Sequence, residues 1–173
     1  MIFFKKKKVE VKQVSAYSSN KEAPNLNELF LKSDRVYDMI TKENKKDELN
    51  FVEARYLVYG VDLIKSAKED FSIEFTLKES DIDYLDNIIN LFVKENEKNP
   101  IDEEIKNGYI SGVCGIFGLI ANHYKGACWI NDNRDNGYKM KCGNDTYYVE
   151  NKVYKLFDGV NDEDLKSFYA SMK

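Results

Sequence analysis

Histidine is nearly missing from this 173-residue chain, where His123 stands alone. A Ser–His–Asp or Cys–His catalytic arrangement would have to be built on that one ring. His123 follows Cys114 by nine positions, on a different side of a predicted helix and near its end. A histidine there stabilises the last helical carbonyls, and that is the role expected of it. Cysteine is also scarce: Cys114, Cys128 and Cys142 are an odd and sparse set that excludes a disulfide scaffold. With His123 they fall within 29 residues, but no CxxC or HxxxH pair occurs, so no metal site is expected. Cys114 and Cys142 are expected to be small buried hydrophobes.

Proline occurs twice and marks no linker. The most apolar run, 108–121, is too short and too interrupted by glycine to span a bilayer. The start, Met1-Ile2-Phe3-Phe4 followed by Lys5 to Lys8, reverses the order of a secretory signal, so a cytoplasmic location is expected. No membrane contact through Phe3–Lys8 is expected either, since a stable anchor needs two signals. The net charge of −4 and pI near 5.2 lack the basic footprint of a nucleic-acid binder. No phosphate loop is present. Gly112, Gly115 and Gly118 are evenly spaced, but they sit in an apolar helix with no following Lys-Ser/Thr, so no cofactor is expected.

What is present is a globular balance of 43% hydrophobic and 32% charged residues, with 12 Tyr and 10 Phe. Residues 1–24 read as a peripheral segment of a single domain covering 1–173. Asn25 opens a helix carrying Leu26, Leu29, Phe30, Tyr37 and Ile40 at helical spacing. A second helix from about Leu49 has an apolar stripe of Val52, Tyr56, Gly60, Leu63, Ile64, Ala67 and Phe71, with Arg55 off it. Ile73, Phe75 and Leu77 alternate with polar residues and predict a short strand or extended segment. Ser80 reads as the N-cap of a helix bearing Ile82, Leu85, Ile88, Ile89 and Phe92. The next helix, from Ile101 to about Tyr124, is apolar nearly all round and should be the buried centre. Its four glycines, Gly108, Gly112, Gly115 and Gly118, are expected to allow close approach of another element.

After Gly126 the texture changes to strands. Segments 127–131 and 138–142 flank the polar loop 132–137; with Asn131 opposite Tyr138, Ala127, Trp129, Tyr138, Met140 and Cys142 share the core face. Lys139 and Lys141 mark the other face as partly wet. Strands over 146–149 and 152–157 would extend the meander, and 162–172 closes the chain as a helix. The predicted fold class is α+β: an N-terminal layer of about four helices packed on a C-terminal antiparallel β-meander, with a short closing helix.

From about Asp81 onward the chain resembles small bacterial proteins of domain-of-unknown-function families. The resemblance rests on the 80–92 helix, Asn107-Gly108-Tyr109-Ile110-Ser111-Gly112, Ala127-Cys128-Trp129-Ile130 and Leu165-Lys166-Ser167-Phe168-Tyr169. Those proteins often carry an acidic residue after the helix glycine, where Val113 and Cys114 stand here. Some proteins of this appearance are immunity proteins that neutralise a toxin made by sibling cells. The resemblance therefore implies a non-enzymatic module whose partner is another protein, such as a toxin. The expected contact residues are Trp129, Asp132, Arg134, Asp135 and Tyr138, a charged loop beside two large rings. The competing expectation is a small carboxylate-dependent hydrolase or transferase with a pocket between helices and sheet. The loop 132–137 lacks the alternating ligands and the closing Glu of a calcium site.

Overall fold

The computed structural model describes residues 21–44, 51–130, 138–160 and 163–173. Within them run helices α1 (Leu26–Thr41), α2 (Phe51–Asp70), α3 (Ile82–Asn96) and α4 (Glu103–Lys125). Strands β1 (Cys128–Ile130), β2 (Lys139–Cys142) and β3 (Asp145–Tyr147) follow, then helices α5 (Val149–Phe157) and α6 (Leu165–Ser171). Helices come first, a small antiparallel sheet of order β1-β2-β3 next, and short helices last, so the fold is α+β.

Helix starts follow local chemistry. Asn25 caps α1, its Oδ1 accepting from the backbone N–H of Asn27 at 3.0 Å, and Asp102 caps α4 through the N–H of Glu104 at 2.8 Å. Gly126, with φ of 68°, ends α4 in a left-handed turn that returns two N–H groups to the carbonyls of Asn122 and Ala121. Helix α4 is the buried axis: Ile110, Val113, Cys114, Ile116, Phe117 and Ile120 are all sealed from solvent. Helix α2 crosses it where Gly60 faces Gly115. A Cβ on Gly115 would lie 2.2 Å from the Tyr56 carbonyl oxygen, so the two backbones touch and only glycine fits. Gly112 and Gly118 likewise admit Leu63 and the Trp129 ring. Gly108 departs from the expectation, because a Cβ there meets nothing within 4 Å.

Two other sequence expectations are corrected and a third is narrowed. Ile73, Phe75 and Leu77 alternate inward as predicted, in the second of the two expected forms, a segment that pairs with no strand. The Asp81 carboxylate instead accepts from the backbone N–H groups of Thr76 (2.6 Å) and Leu77 (2.7 Å), doing the work of a neighbouring strand. Ser80 is not the N-cap of α3: a 3-10 turn over Glu79–Asp81 leads in, and Asp81 stands at the N-cap position without a side-chain bond into the helix. Residues 152–157 are not a strand either. They lie in α5, where Val149, Val153 and Phe157 fall at intervals of four on one buried face.

The hairpin register agrees with the alternation: Trp129 pairs with Met140 and Cys128 with Lys141. Ala127, Trp129, Met140 and Cys142 face the core, and Cys114 and Cys142 are buried while Cys128 is exposed. On the lysine face Lys141 is exposed, but Lys139 is buried with its ammonium 5.4 Å from the centre of the Tyr148 ring. Among the described residues no helix is long and apolar enough to cross a membrane.

Candidate functional site

Helix α2 shows two faces. Its inward stripe packs on α4. Its outer side carries Phe51, Arg55 and Tyr59, spaced by four residues so that they stack along one line. Phe51 and Tyr59 are 41% and 42% exposed, large rings left in water beside an arginine. This line meets the sheet at Tyr138, the first described residue after the hairpin loop.

The junction is held from beneath by Glu150 at the start of α5. One of its oxygens accepts from the Tyr56 hydroxyl (2.8 Å) and the other from the Tyr138 backbone N–H (2.8 Å). The Glu150 N–H in turn donates to the Tyr138 carbonyl at 3.2 Å. Tyr56 stacks on Trp129 with ring centres 4.3 Å apart and meets Tyr138 edge-on at 6.0 Å. Burial holds the Tyr56 phenol well above its usual range, so it remains a neutral donor to Glu150.

Arg55 sits in the resulting frame. Its guanidinium carbon lies 5.8 Å from the ring centres of Tyr56, Tyr59 and Tyr138 alike. One terminal nitrogen donates a long bond of 3.4 Å to the Ser111 hydroxyl on α4. Its Nε is buried and has no acceptor. Nearby, the Tyr154 hydroxyl donates to Asn107 Oδ1 at 2.7 Å. Cys114 lies below, fully enclosed, and burial pushes its thiol far up, which keeps it protonated and unreactive. Next to Tyr59 a groove of about 280 Å³ runs between α2 and α4, lined by Asp62, Leu63, Ile105, Gly108 and Tyr109. The side chain that Gly108 lacks would have entered the floor of this groove.

The sequence-predicted contact residues are distributed unevenly around this site. Tyr138 is part of the Arg55 frame. Trp129 is 9% exposed and supports the frame from inside, against Gly118. Asp132, Arg134 and Asp135 lie outside the described residues. The Arg55 line itself was missed. Its signal, an aromatic–Arg–aromatic repeat at intervals of four on the polar side of a helix, is legible in the chain.

Other chemistry-bearing groups are tied up in the fold. His123 bonds through Nε2 to the Glu22 carbonyl at 2.7 Å, and the Lys21 ammonium donates to the His123 carbonyl, so this end of α4 holds the segment before α1. The predicted role for His123 at the last carbonyls of its helix is thus replaced by a long-range one. Asp86 accepts from the N–H groups of Leu165 and Lys166 at the start of α6. Burial raises its carboxyl to about 6, opposed by those two bonds. Asp81 is raised by burial in the same sense. Among the described residues no three His, Cys, Asp or Glu side chains gather as a metal site would require.

Comparison with family models, with curated proteins and with solved structures finds no match for this chain.

Proposed function

We propose that this chain is a non-enzymatic protein-binding module of immunity type, cytoplasmic, with the Phe51–Arg55–Tyr59 line and Tyr138 as its contact face. The observation that carries the reading is the pair of exposed rings flanking Arg55, because aromatic residues and arginine dominate the energetics of protein interfaces. Tyrosine buries much area at low entropic cost, and Tyr138 is already fixed by Glu150 before any partner arrives. A carboxylate hydrolase draws less support. Asp81, buried, and Asp86, half-buried, both with raised affinity for protons, spend their oxygens on backbone donors of the fold.

The test is co-purification of the tagged full chain from its native cytoplasm, in parallel with an Arg55→Ala, Tyr59→Ser double variant. A stoichiometric protein partner is expected with the wild type, such as a toxin made by sibling cells. The double variant should weaken its binding by about 2 kcal/mol or more, roughly thirtyfold. Equal retention by both would remove the face from consideration. Alanine at Asp132, Arg134 and Asp135 tests the hairpin loop separately; loss of affinity there extends the surface, and unchanged affinity confines it to α2 and Tyr138.

A further inference from the structure

Arg55 carries a full positive charge with room for five hydrogen bonds, yet among the described residues it makes one, and that one is long. No carboxylate of the described residues lies within ion-pair distance of it. The acid that shares its neighbourhood, Glu150, has both oxygens taken, one by the Tyr56 hydroxyl and one by the Tyr138 N–H. The protein thus sets a cation among three rings and commits Glu150 elsewhere. Tyr56, Tyr59 and Tyr138 each place a ring centre 5.8 Å from the guanidinium carbon and leave it half-buried. A guanidinium presents paired N–H groups that match the two oxygens of a carboxylate.

We propose that Arg55 is the docking point for an aspartate or glutamate side chain of a bound protein. The inference rests on the protein-binding reading of this face and names the chemistry of the partner. The groove beside Tyr59 defines the rest of the match. Its walls, Leu63, Ile105 and Tyr109, are largely apolar, and Gly108 leaves its floor open, so the acidic residue is followed or preceded by an apolar one that enters the groove. A single positive charge among the rings calls for a single negative charge.

Two measurements test it on the full chain. The first follows the side-chain Nε–Hε signals of the three arginines, Arg35, Arg55 and Arg134, by heteronuclear NMR during an acetate titration at fixed ionic strength, with chloride as the control. The Arg55 signal, identified by its loss in Arg55→Lys, is expected to shift and saturate with acetate and not with chloride. The second selects a displayed random-peptide library on the wild type. Selected peptides should share an Asp or Glu, and its change to Asn or Gln should cost on the order of tenfold in affinity or more for the wild type but little for Arg55→Lys. Gly108→Leu, which fills the groove without touching Arg55, should weaken the peptides and leave the acetate response intact.

An Arg55 signal indifferent to acetate, with peptides that still bind at this face, overturns the carboxylate and spares the binding reading. An acetate response with no selectable peptide, or with peptides insensitive to Arg55→Lys, overturns a partner side chain as the source. It leaves a free carboxylic acid as the ligand and removes the protein-binding reading of this face.

Discussion

At Gly60 and Gly115 the two longest helices run backbone against backbone, and the cost of any side chain there can be read from distance. A methyl on Gly115 would sit 2.2 Å from the Tyr56 carbonyl oxygen and 2.6 Å from the Gly60 backbone, so α2 and α4 must part to admit it. Gly115→Ala is expected to destabilise the protein by about 3 kcal/mol or more, at the upper end for overpacked cores. Gly108 lies in the same helix and predicts the opposite sign. Its Cβ position is open and its backbone is helical, so Gly108→Ala removes the entropy penalty of glycine and adds no clash. A gain of about 0.5–1 kcal/mol follows, with Tm higher by roughly 2 °C, measured by thermal and urea unfolding of both variants. A Gly108→Ala protein less stable than wild type would mean that something already occupies the groove. The sequence reading assigned all four glycines to close packing because a helix glycine costs the same wherever it faces, and only the neighbouring helix separates the three that are needed from the one that is not. Arg55 escaped the same reading for a related reason. A charge off the apolar stripe looks solvated until the tyrosine arriving from the sheet, 83 positions later, closes over it.

Between elements, what was legible depended on how many residues carried the pattern. The β1–β2 register followed from alternation across two segments, since a slip by one would have turned Trp129 and Met140 outward. Residues 152–157 offered only six positions, too few to separate a period of two from one of 3.6. The decisive member, Val149, falls at the end of the preceding expected strand, 146–149, and so was separated from Val153 and Phe157. The same limit hid Glu150: between two strands it would have been an ordinary exposed acid, whereas at the first turn of α5 it reaches both Tyr56 of α2 and Tyr138 just before β2. Its two bonds make a testable joint. In Glu150→Gln the amide carries one acceptor and one donor group, so either the Tyr56 hydroxyl or the Tyr138 N–H loses its acceptor. A loss of about 1–3 kcal/mol is expected, because a buried donor is left unpaired. Tyr56→Phe should cost less, and the two changes together should cost less than their sum. Hydrogen exchange locates the joint in Glu150→Ala, which keeps no acceptor: the Tyr138 amide should exchange faster, while amides in the middle of α4 keep their protection. Unchanged exchange at Tyr138 would show that the strand, not the carboxylate, holds that amide.

For the molecule as a whole, the order helices, sheet, closing helices was readable because each segment supplied its own period, but the fastening of the last helix to the third was not, since it depends on one acid 79 positions from the amide it binds. Asp86 on α3 accepts two N–H groups at the start of α6, which would otherwise be unpaired, and Lys166 adds an ion pair to Asp83 at 3.1 Å. The Asp86 carboxylate is half-buried, and loss of hydration raises its carboxyl to about 6 despite those bonds, with Asp164 and Asp83 adding to the rise. In the unfolded chain the same group titrates near 3.9. The folded state therefore holds a proton on Asp86 that the unfolded state has released throughout the interval between these values. By linkage this contribution to stability is fully present below about 3.9 and is lost as pH rises through about 6, to a total on the order of 2–3 kcal/mol. Other carboxylates titrate in the same interval, so the contribution of Asp86 is isolated by subtraction. Asp86→Asn cannot titrate and can still accept one of the two N–H groups. Urea unfolding from pH 4 to pH 8 should give a wild-type minus Asp86→Asn difference that falls between about pH 4 and 6 and is flat above about 7. A difference that rises across that interval would mean that the two N–H groups outweigh burial and hold Asp86 ionised, so that α6 is fastened by a charge and would release on acidification.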